Sequence, residues 1–389
     1  MKRILYLSFY FEPDLCAGSF RNSPLARELA KQVEGKAVVD VITTVPNRYS
    51  SFSIEAQEDE HFGNIRIRRI MLPAHQSGFL DQVNAFRHYF FQVKKLIAHT
   101  KYDLVFASSS RLFTAYLGYR VAKKRRVPLY LDIRDIFTDT LNDVIPNKVV
   151  KFFLLPVLIF IEGKVFRYAK HINLISAGFQ SYFRKYPEPA YSYFTNGIDD
   201  EFIQENDYHE LLPLSPITIT YAGNIGEGQG LHKIIPEAAK LLGKGYQFRV
   251  IGDGGARKQL DEVIKKESIS NVFIEKTVKR IELLEIYKRS HYLFMHLNDY
   301  PAFEKVLPSK IFEIGAFPRP IIAGVNGFSR SFIEQYVSNT ILIHPTNSKE
   351  LVDKIRSYTY TIENRNTFIR DFRRRQINTE IAKSIRSYL

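Results

Sequence analysis

The chain has 389 residues, of which 45% are hydrophobic and 25% are charged. This length suits two domains, each large enough for a hydrophobic core of its own. The formal net charge is +14, and most of the excess falls in residues 1–195. A positively charged N-terminal half of this kind can bind nucleic acid, an anionic membrane surface or a diphosphate-bearing substrate. The one cysteine, Cys16, excludes an internal disulfide and fits a reducing, cytoplasmic location.

The first half alternates short apolar runs with helical patterns, which predicts βαβ units and a parallel sheet. The predicted elements are strands at 4–9, 38–43, 65–70, 104–107, 129–133, 172–176 and 193–194, with helices at 21–32 and 80–99. Residues 44–64 are polar and resemble a loop. Ligands gather beyond the carboxyl ends of strands in open α/β sheets, so we expect Gly18, Ser108 and Asp135 to share one crevice.

Residues 152–161 form an apolar run that is interrupted by Pro156 and flanked on both sides by lysine and arginine. The run is shorter than the roughly 18 to 20 residues that a membrane-spanning helix needs, and no secretory signal opens the chain. Two interpretations stay open. The segment is either a buried helix or an interfacial helix whose aromatic face enters the headgroup region of an anionic membrane.

The second half repeats the alternating pattern after a polar linker that extends to Pro216. The predicted strands lie at 217–222, 248–251, 272–274, 292–296 and 321–323, and the predicted helices at 231–242, 256–267, 280–290, 309–317, 349–357 and about 366–388. We therefore predict an N-terminal domain at 1–195, a C-terminal domain at 196–370, and a helix at 371–389 that packs back on the first domain.

Glycine-rich turns follow two strands of the second half. The first, at 223–230, contains Gly223, Asn224 and Gly226, and the second contains Gly252 and Asp253. Glycines let backbone amides approach an anion closely, so both turns are candidate phosphate contacts. The first lacks the lysine and Ser/Thr of a triphosphate loop. A flexible loop, or for the second a tight turn, is the alternative interpretation.

Residues 303–313 hold two acids, Glu304 and Glu313, with Pro308, Ser309 and Lys310 between them. Pro308 and Ser309 are helix start signals, which would put Lys310 and Glu313 in the first turn. A helix N-terminus favours anions, and Lys310 adds a full positive charge. The stretch therefore suggests a nucleotide-sugar site, while a loop–helix junction with solvated charges is the alternative.

Other chemistries find little support in the sequence. There is no D-x-D pair, and the ten histidines show neither H-x-x-x-H nor H-E-x-x-H spacing, so we expect no metal site. The serine hydrolase motif G-x-S-x-G is also absent. Cys16 fits a small buried or half-buried residue better than a nucleophile.

Six segments in register resemble the retaining glycosyltransferases of family 4, in the branch that builds bacterial surface polysaccharides. They are residues 10–14 (YFEPD) with Gly18 and Arg21, 131–135 (LDIRD), 196–199 (NGID), 221–230, 252–254 (GDG) and 303–313 with Arg319 and Pro320. The resemblance covers nearly the whole chain. It implies an α/β fold of the GT-B type, in which two Rossmann-like domains with parallel sheets face each other.

The resemblance also implies roles for individual residues. Glu304 would contact hydroxyls of the donor sugar, Glu313 the ribose, and the backbone around Val278 the base. Asp135 would lie at the acceptor side, where it is our candidate for orienting the acceptor hydroxyl. The remaining donor contacts would come from the two glycine turns and from Gly18, Lys305, Val306, Leu307, Ser309 and Lys310.

Two departures from the family pattern affect these assignments. The acid pair is nine positions apart rather than the usual eight. Asn224 and Gln229 lie where many relatives carry an arginine and a lysine for the diphosphate, so Lys310, together with Lys305, would have to supply that charge.

The expected function is metal-independent transfer of a sugar, with retained configuration, from a nucleotide-diphosphate donor, most often a UDP-sugar in this family. The expected acceptor is a polyprenyl-diphosphate-linked sugar or another glycan in O-antigen or capsule synthesis, at the cytoplasmic face of the inner membrane. No nucleic-acid partner is expected. The rival functions are a non-hydrolysing sugar-nucleotide epimerase of the same fold and a basic binding module without chemistry.

Overall fold

The computed structural model describes residues 1–46, 56–73, 79–109, 111–145, 147–203, 212 and 215–389, with the backbone alone at 79–82 and 144. The predicted loop at 44–64 and the predicted linker lie partly outside these ranges. The chain forms two compact units. Unit 1 comprises Met1–Asn196 and Arg375–Leu389, and unit 2 comprises Gly197–Arg374.

Unit 1 is built on βαβ connections around one sheet. Its elements are β1 (Lys2–Ser8), α1 (Ala17–Gln32), β2 (Ala37–Thr44), β3 (Asp59–Phe62), β4 (Ile65–Ile70), α2 (Phe79–Leu96), β5 (Leu104–Ser109), α3 (Leu112–Arg125), β6 (Leu129–Ile133), α4 (Phe137–Val144), α5 (Lys148–Tyr168), β7 (His171–Leu174), α6 (Gln180–Phe183) and β8 (Ala190–Ser192). The central strands are buried along their length because helices cover both faces of the sheet.

The strand order of this sheet is β3-β4-β2-β1-β5-β6-β7-β8. Every pairing is parallel except that of β3 with β4, which is antiparallel. The chain runs outward from β1 in both directions, so the order reverses between β1 and β5. In open α/β sheets this reversal opens a crevice at the carboxyl ends of the two strands.

A buried ion pair ties the elements of unit 1 together. Arg21 of α1 donates two hydrogen bonds, at 2.9 and 2.7 Å, to the carboxylate of Asp132 in β6. Asp132 also accepts from Ser108 at 3.0 Å and from Asn173 at 2.8 Å. Burial alone would raise the pKa of Asp132, but the charge and hydrogen bonds of Arg21 hold that pKa below its usual range.

Unit 2 has a second sheet of similar design. Its elements are β9 (Ile217–Ala222), α7 (Leu231–Leu242), β10 (Tyr246–Ile251), α8 (Arg257–Lys266), β11 (Val272–Glu275), α9 (Arg280–Lys288), β12 (Tyr292–His296), α10 (Lys310–Ile314), β13 (Ile321–Gly324), α11 (Gly327–Tyr336), β14 (Thr340–Ile343), α12 (Ser348–Ser357) and α13 (Asn366–Asp371). The strand order is β11-β10-β9-β12-β13-β14, with all pairings parallel. The order reverses between β9 and β12, which places the ligand crevice at their carboxyl ends.

The last helix, α14 (Arg374–Arg386), packs on unit 1. Ile381, Ala382 and Ile385 are fully buried in the core cluster that contains β1 and α1. Gln32 donates a 3.0 Å hydrogen bond to the Thr379 carbonyl, which fixes α14 against α1.

The α/β class and the two Rossmann-like units with parallel sheets are confirmed, whereas several predicted boundaries are wrong. Helix α1 begins four residues earlier than predicted, so Gly18 lies in a helix and not in the preceding loop. The predicted strand at 193–194 is displaced to β8, and the predicted last helix is two helices, α13 and α14. The polar pattern at 44–64 does not predict the edge strand β3, and the sequence patterns also miss helices α3, α4, α6 and α11 and strand β14.

Within the described ranges, no helix is long and apolar enough to cross a membrane.

We expect Arg21→Ala to lower the free energy of unfolding by about 3 to 5 kcal/mol, because it leaves the buried Asp132 carboxylate without its cation. Urea unfolding followed by circular dichroism measures the change. The control is Arg27→Ala in the same helix, whose side chain is 56% exposed in its ion pair with Glu12; it should cost less than about 1 kcal/mol. Equal costs for the two variants would contradict the assignment.

Candidate nucleotide-sugar site

Lys310 is the central charged group at the carboxyl edge of the unit 2 sheet. It is the first residue of α10, and its Nζ donates a hydrogen bond to the carbonyl of Ala222, the last residue of β9. A carboxylate oxygen of Glu313 lies 3.9 Å from Nζ, and the Tyr221 ring centroid lies 5.4 Å away. Burial lowers the pKa of Lys310, and the negative charge of Glu313 opposes that shift. The site therefore holds a desolvated cation with a weak counter-charge.

Glycine is required at two positions around this cation. A Cβ built on Gly223 would lie 2.9 Å from the Lys310 Nζ, and one built on Gly252 would overlap the Gly223 carbonyl oxygen. The φ angles of Gly223 and Gly252 are +147° and +146°, values that residues with a side chain rarely adopt. The two glycine turns and the lysine are thus packed directly against one another.

Hydrogen bonds define the conformation of the first glycine turn. The Gly223 amide donates to the Ile251 carbonyl at 2.8 Å, and the Ile225 amide donates to the Asp253 carbonyl at 2.8 Å. The side chain of Gln229 closes the turn through its Oε1, which accepts from Asn224 Nδ2 at 2.7 Å and from the Gly226 amide at 3.2 Å. This bonding disfavours the alternative of a flexible loop, because the turn is held by the end of β10 and by its own Gln229 side chain.

His296 and Asn298, at and just beyond the end of β12, also hold this loop. Neither residue was among the predicted site residues. His296 contacts the Gln229 carbonyl through Nδ1 at 2.6 Å, while its Nε2 accepts from the Thr346 amide at 2.9 Å. Nδ1 must then carry the proton, and burial lowers the pKa of His296 to about 4. Asn298 donates to the Glu227 carbonyl at 2.9 Å. Their position after a strand beside the reversal point is the signal that could have identified them.

The turn before Lys310 differs from the prediction in detail. Helix α10 is only five residues long rather than the predicted 309–317, and the Ser309 side chain makes no capping hydrogen bond. The Val306 amide donates to the Phe303 carbonyl at 3.2 Å, so it is already used within the turn. In the described part of the chain, the amides of Leu307 and Ser309 meet no protein acceptor. A single turn has a weak dipole, so the Lys310 charge must dominate here.

The other candidate donor residues surround the same edge of the sheet. Glu304 lies in a 3₁₀ turn at Pro301–Lys305 and is exposed, whereas Lys305 is half-buried. Val278 is half-buried and packs on the hydrophobic cluster that contains Leu307. Glu313 is half-buried, and its charge raises the pKa of Arg280, against the lowering effect of burial.

Unit 1 has its own polar crevice at the reversal between β1 and β5. Ser8, Tyr10, Ser108, Arg111 and Arg134 line it together with apolar side chains. A Cβ on Gly18 would lie 2.7 Å from Arg134 Nη1, so Gly18 and Ser108 both adjoin Arg134.

Asp135 follows Arg134 and accepts a 3.2 Å hydrogen bond from Thr140 of α4. Burial raises the pKa of Asp135 to about 6, although the bond from Thr140 acts in the opposite direction. A carboxyl group with this pKa changes its charge close to neutral pH, which is the range where a proton-accepting or hydroxyl-orienting group is useful.

Among the described residues, no three His, Cys, Asp or Glu side chains come together as a metal site would require. The expectation that no metal is needed stays a prediction.

We expect Gly252→Ala to destabilise the protein by at least about 2 kcal/mol, because the new Cβ overlaps the Gly223 carbonyl and the backbone has a positive φ. Thermal unfolding measures this. Gly255→Ala is the matched control, since a Cβ there meets nothing within 4 Å, and it should unfold like the unmodified protein. If both alanine variants unfold alike, the close packing of the two turns is wrong.

Comparison with known protein families finds one match in unit 2. Residues 203–375 match the family described as Glycosyl transferases group 1. The colanic acid biosynthesis glycosyl transferase WcaI of Escherichia coli K12 is 24% identical over 171 residues, which is 43% of this chain and 42% of that protein. The match thus spans less than half of the relative's length.

Solved structures resemble the whole chain. Sucrose-phosphate synthase from Thermosynechococcus elongatus superposes with a TM-score of 0.70 at 14% identity, covering 99% of this chain and 95% of that one. HepE of Anabaena in complex with UDP-glucose has a TM-score of 0.69 at 16% identity, with 100% of each chain covered. The lipopolysaccharide outer core galactosyltransferase WaaB reaches 0.61 at 13% identity, also with 100% of each chain covered.

These likenesses to solved structures confirm the predicted fold class, an α/β fold of the GT-B type. Residues 203–375 carry a glycosyl transferases group 1 domain, and the two Rossmann-like units have the fold of GT-B enzymes.

Proposed function

We propose that this protein is a retaining, metal-independent glycosyltransferase of family 4 that transfers a sugar from a UDP-sugar to a lipid-linked or glycan acceptor in bacterial surface polysaccharide synthesis. The observation that carries the proposal is the desolvated Lys310 ammonium beside Gly223, at the point where the unit 2 sheet reverses its strand order. The group 1 match to unit 2 and the structures of HepE with UDP and UDP-glucose support a nucleotide-sugar donor.

The chemistry requires compensation for charge that develops on the leaving group. The anomeric C–O bond breaks and its electron pair stays on the nucleoside diphosphate, while the sugar becomes oxocarbenium-like. Lys310, the loop after β9 and the amides of Leu307 and Ser309 would receive the diphosphate. Because hydrogen bonds already hold this loop in place, little reorganisation is needed when the charge appears.

The donor's other groups would contact residues around the same edge. The exposed Glu304 would accept hydrogen bonds from sugar hydroxyls, and Glu313 from the ribose. The backbone around Val278, in the segment that follows β11, would contact the base. Lys305, one residue beyond Glu304, would add positive charge next to the diphosphate.

The acceptor would bind in unit 1 over the carboxyl ends of β1 and β5, where Arg111 and Arg134 line a pocket of about 10 Å³. A pocket of this volume holds about one water molecule, so the acceptor would lie over it and not within it. Two arginines suit an acceptor that carries a phosphate, such as a polyprenyl-diphosphate-linked sugar at the cytoplasmic face of the inner membrane. Asp135 would orient the acceptor hydroxyl. The acceptor oxygen bonds to the anomeric carbon on the same face from which the diphosphate departs, so the configuration is retained. The hydroxyl proton passes to the departing phosphate oxygen.

We expect Lys310→Ala to lower turnover about a hundredfold or more. Enzymes that lose one preorganised donor to a developing anion show a loss of this size. UDP-sugars are first screened with acceptor extracted from membranes. UDP release from the best donor is then measured for the wild type and the variants. The control is Lys266→Ala, because Lys266 is an exposed lysine at the C-terminal end of α8, outside the proposed donor site. EDTA should leave wild-type turnover unchanged. Near-normal turnover of Lys310→Ala, or loss of activity in EDTA, would refute this mechanism.

The raised pKa of Asp135 predicts a pH dependence. Because the group must be ionised to orient the acceptor, kcat/KM should fall as the pH drops through about 6 and should reach a plateau above it. Thr140→Val removes a hydrogen bond that favours the ionised form, so the acid limb should move to higher pH. Asp135→Asn should remove the limb and lower the plateau. An unchanged profile in both variants would show that another group titrates.

A further inference from the structure

The first thirteen residues of α5, 148–160, which we call its exposed half, are more exposed than is usual for so apolar a helix. Phe152, Phe153 and Phe160 are 73%, 70% and 62% exposed, and Val149 is 66% exposed. Only five residues of this 21-residue helix are buried, and four of them lie in its last seven positions. The C-terminal half therefore anchors α5 in unit 1, while the N-terminal half presents aromatic and aliphatic side chains outward. Contiguous apolar patches of this kind mark interaction surfaces.

The exposed part is too short to cross a bilayer. Residues 148–160 extend about 20 Å along the helix axis, at about 1.5 Å per residue, against a hydrocarbon thickness of about 30 Å. A helix of this length can instead lie in the interface, with its aromatic side chains inserted below the headgroups.

Cations surround the apolar surface. Helix α3 packs against α5 and contains no acidic residue, and the one acid of α5, Glu162, is buried and accepts a 2.7 Å hydrogen bond from Thr138. Between α2, α3 and α5 lies a cavity of about 840 Å³, lined by aromatic side chains and, among the described residues, by no acid. Its basic lining residues are Lys94, Arg120, Lys123, Lys124, Arg125 and Lys164.

We propose that the exposed half of α5, with the basic residues of α2 and α3, docks unit 1 on a bilayer surface that contains anionic lipids. The apolar side chains enter the headgroup region and the cations contact lipid phosphates. A second copy of the chain is the poorer occupant, because a symmetric contact would bring the two sets of cations together. This docking extends the proposed peripheral placement of the enzyme and does not depend on the proposed reaction.

The test is co-sedimentation of the full-length protein with vesicles of phosphatidylcholine alone and with about 30% phosphatidylglycerol. We expect binding to the anionic vesicles at least about tenfold tighter than to the neutral ones, and we expect it to weaken at about 1 M salt, where charges are screened within about 3 Å. The double variant Phe152→Ser with Phe153→Ser should bind the anionic vesicles at least about tenfold less tightly. Lys123→Gln with Lys124→Gln should lose the preference for anionic lipid.

Matched substitutions in unit 2 provide the controls. Phe273→Ser replaces an exposed phenylalanine and Lys258→Gln a 90% exposed lysine, and both variants should bind vesicles like the wild type. Thermal unfolding should show that the α5 variants remain folded, since the replaced side chains are exposed.

Three outcomes would overturn the proposal. The first is no binding of the wild type to anionic vesicles, and the second is equal binding of the wild type and the phenylalanine double variant. The third is a wild-type dimer in light scattering that the double variant converts to a monomer, which would assign the surface to a second copy. The assay of UDP release on extracted acceptor is independent of all three, so a failure here does not decide the proposed reaction.

Discussion

The arrangement of unit 2 depends on one half-buried charge, the ammonium of Lys310, whose side chain is 17% exposed. Removing the Lys310 ammonium from water is costly, and the structure offsets that cost with a carbonyl at the end of β9 and a carboxylate 3.9 Å away. The lysine fits only because residue 223 has no side chain. Residue 252 must be glycine in turn, since its backbone lies against the Gly223 carbonyl. Packing around Lys310 therefore accounts for the glycines at 223 and 252 as well as contact with a ligand would.

Arg21 in unit 1 is a fully buried cation whose charge is compensated by the Asp132 carboxylate. Arg21 donates to both carboxylate oxygens of Asp132 and to two backbone carbonyls, which uses four of the five N–H donors of the guanidinium. Lys310 has one carbonyl and a more distant carboxylate, so its remaining donors can serve an incoming anion. The difference in pairing separates a structural cation from a candidate functional one better than burial does.

Apolar residues of unit 1 are buried in its central strands but exposed in the first part of α5. Strands β1, β5 and β6 are buried along nearly their whole length, as expected for a parallel sheet covered by helices. In α5 the apolar residues near the N-terminal end remain outside that core although they are as hydrophobic as the residues within it. Hydrophobicity alone predicted a helix there but not which side of the protein surface it would face.

The sequence by itself determined the α/β class, the two units and the residues around Lys310, because periodic apolar runs and glycine turns are local signals. It could not determine the partners of the charged residues. The Lys310 acceptor is 88 positions away in the chain and the Arg21 partner is 111 positions away, and such pairs form only once the strand order brings their elements together. The exposure of α5, the roles of His296 and Asn298 and the raised pKa of Asp135 were likewise decided by tertiary packing. Burial and distance are properties of the assembled sheet, and no single segment encodes them.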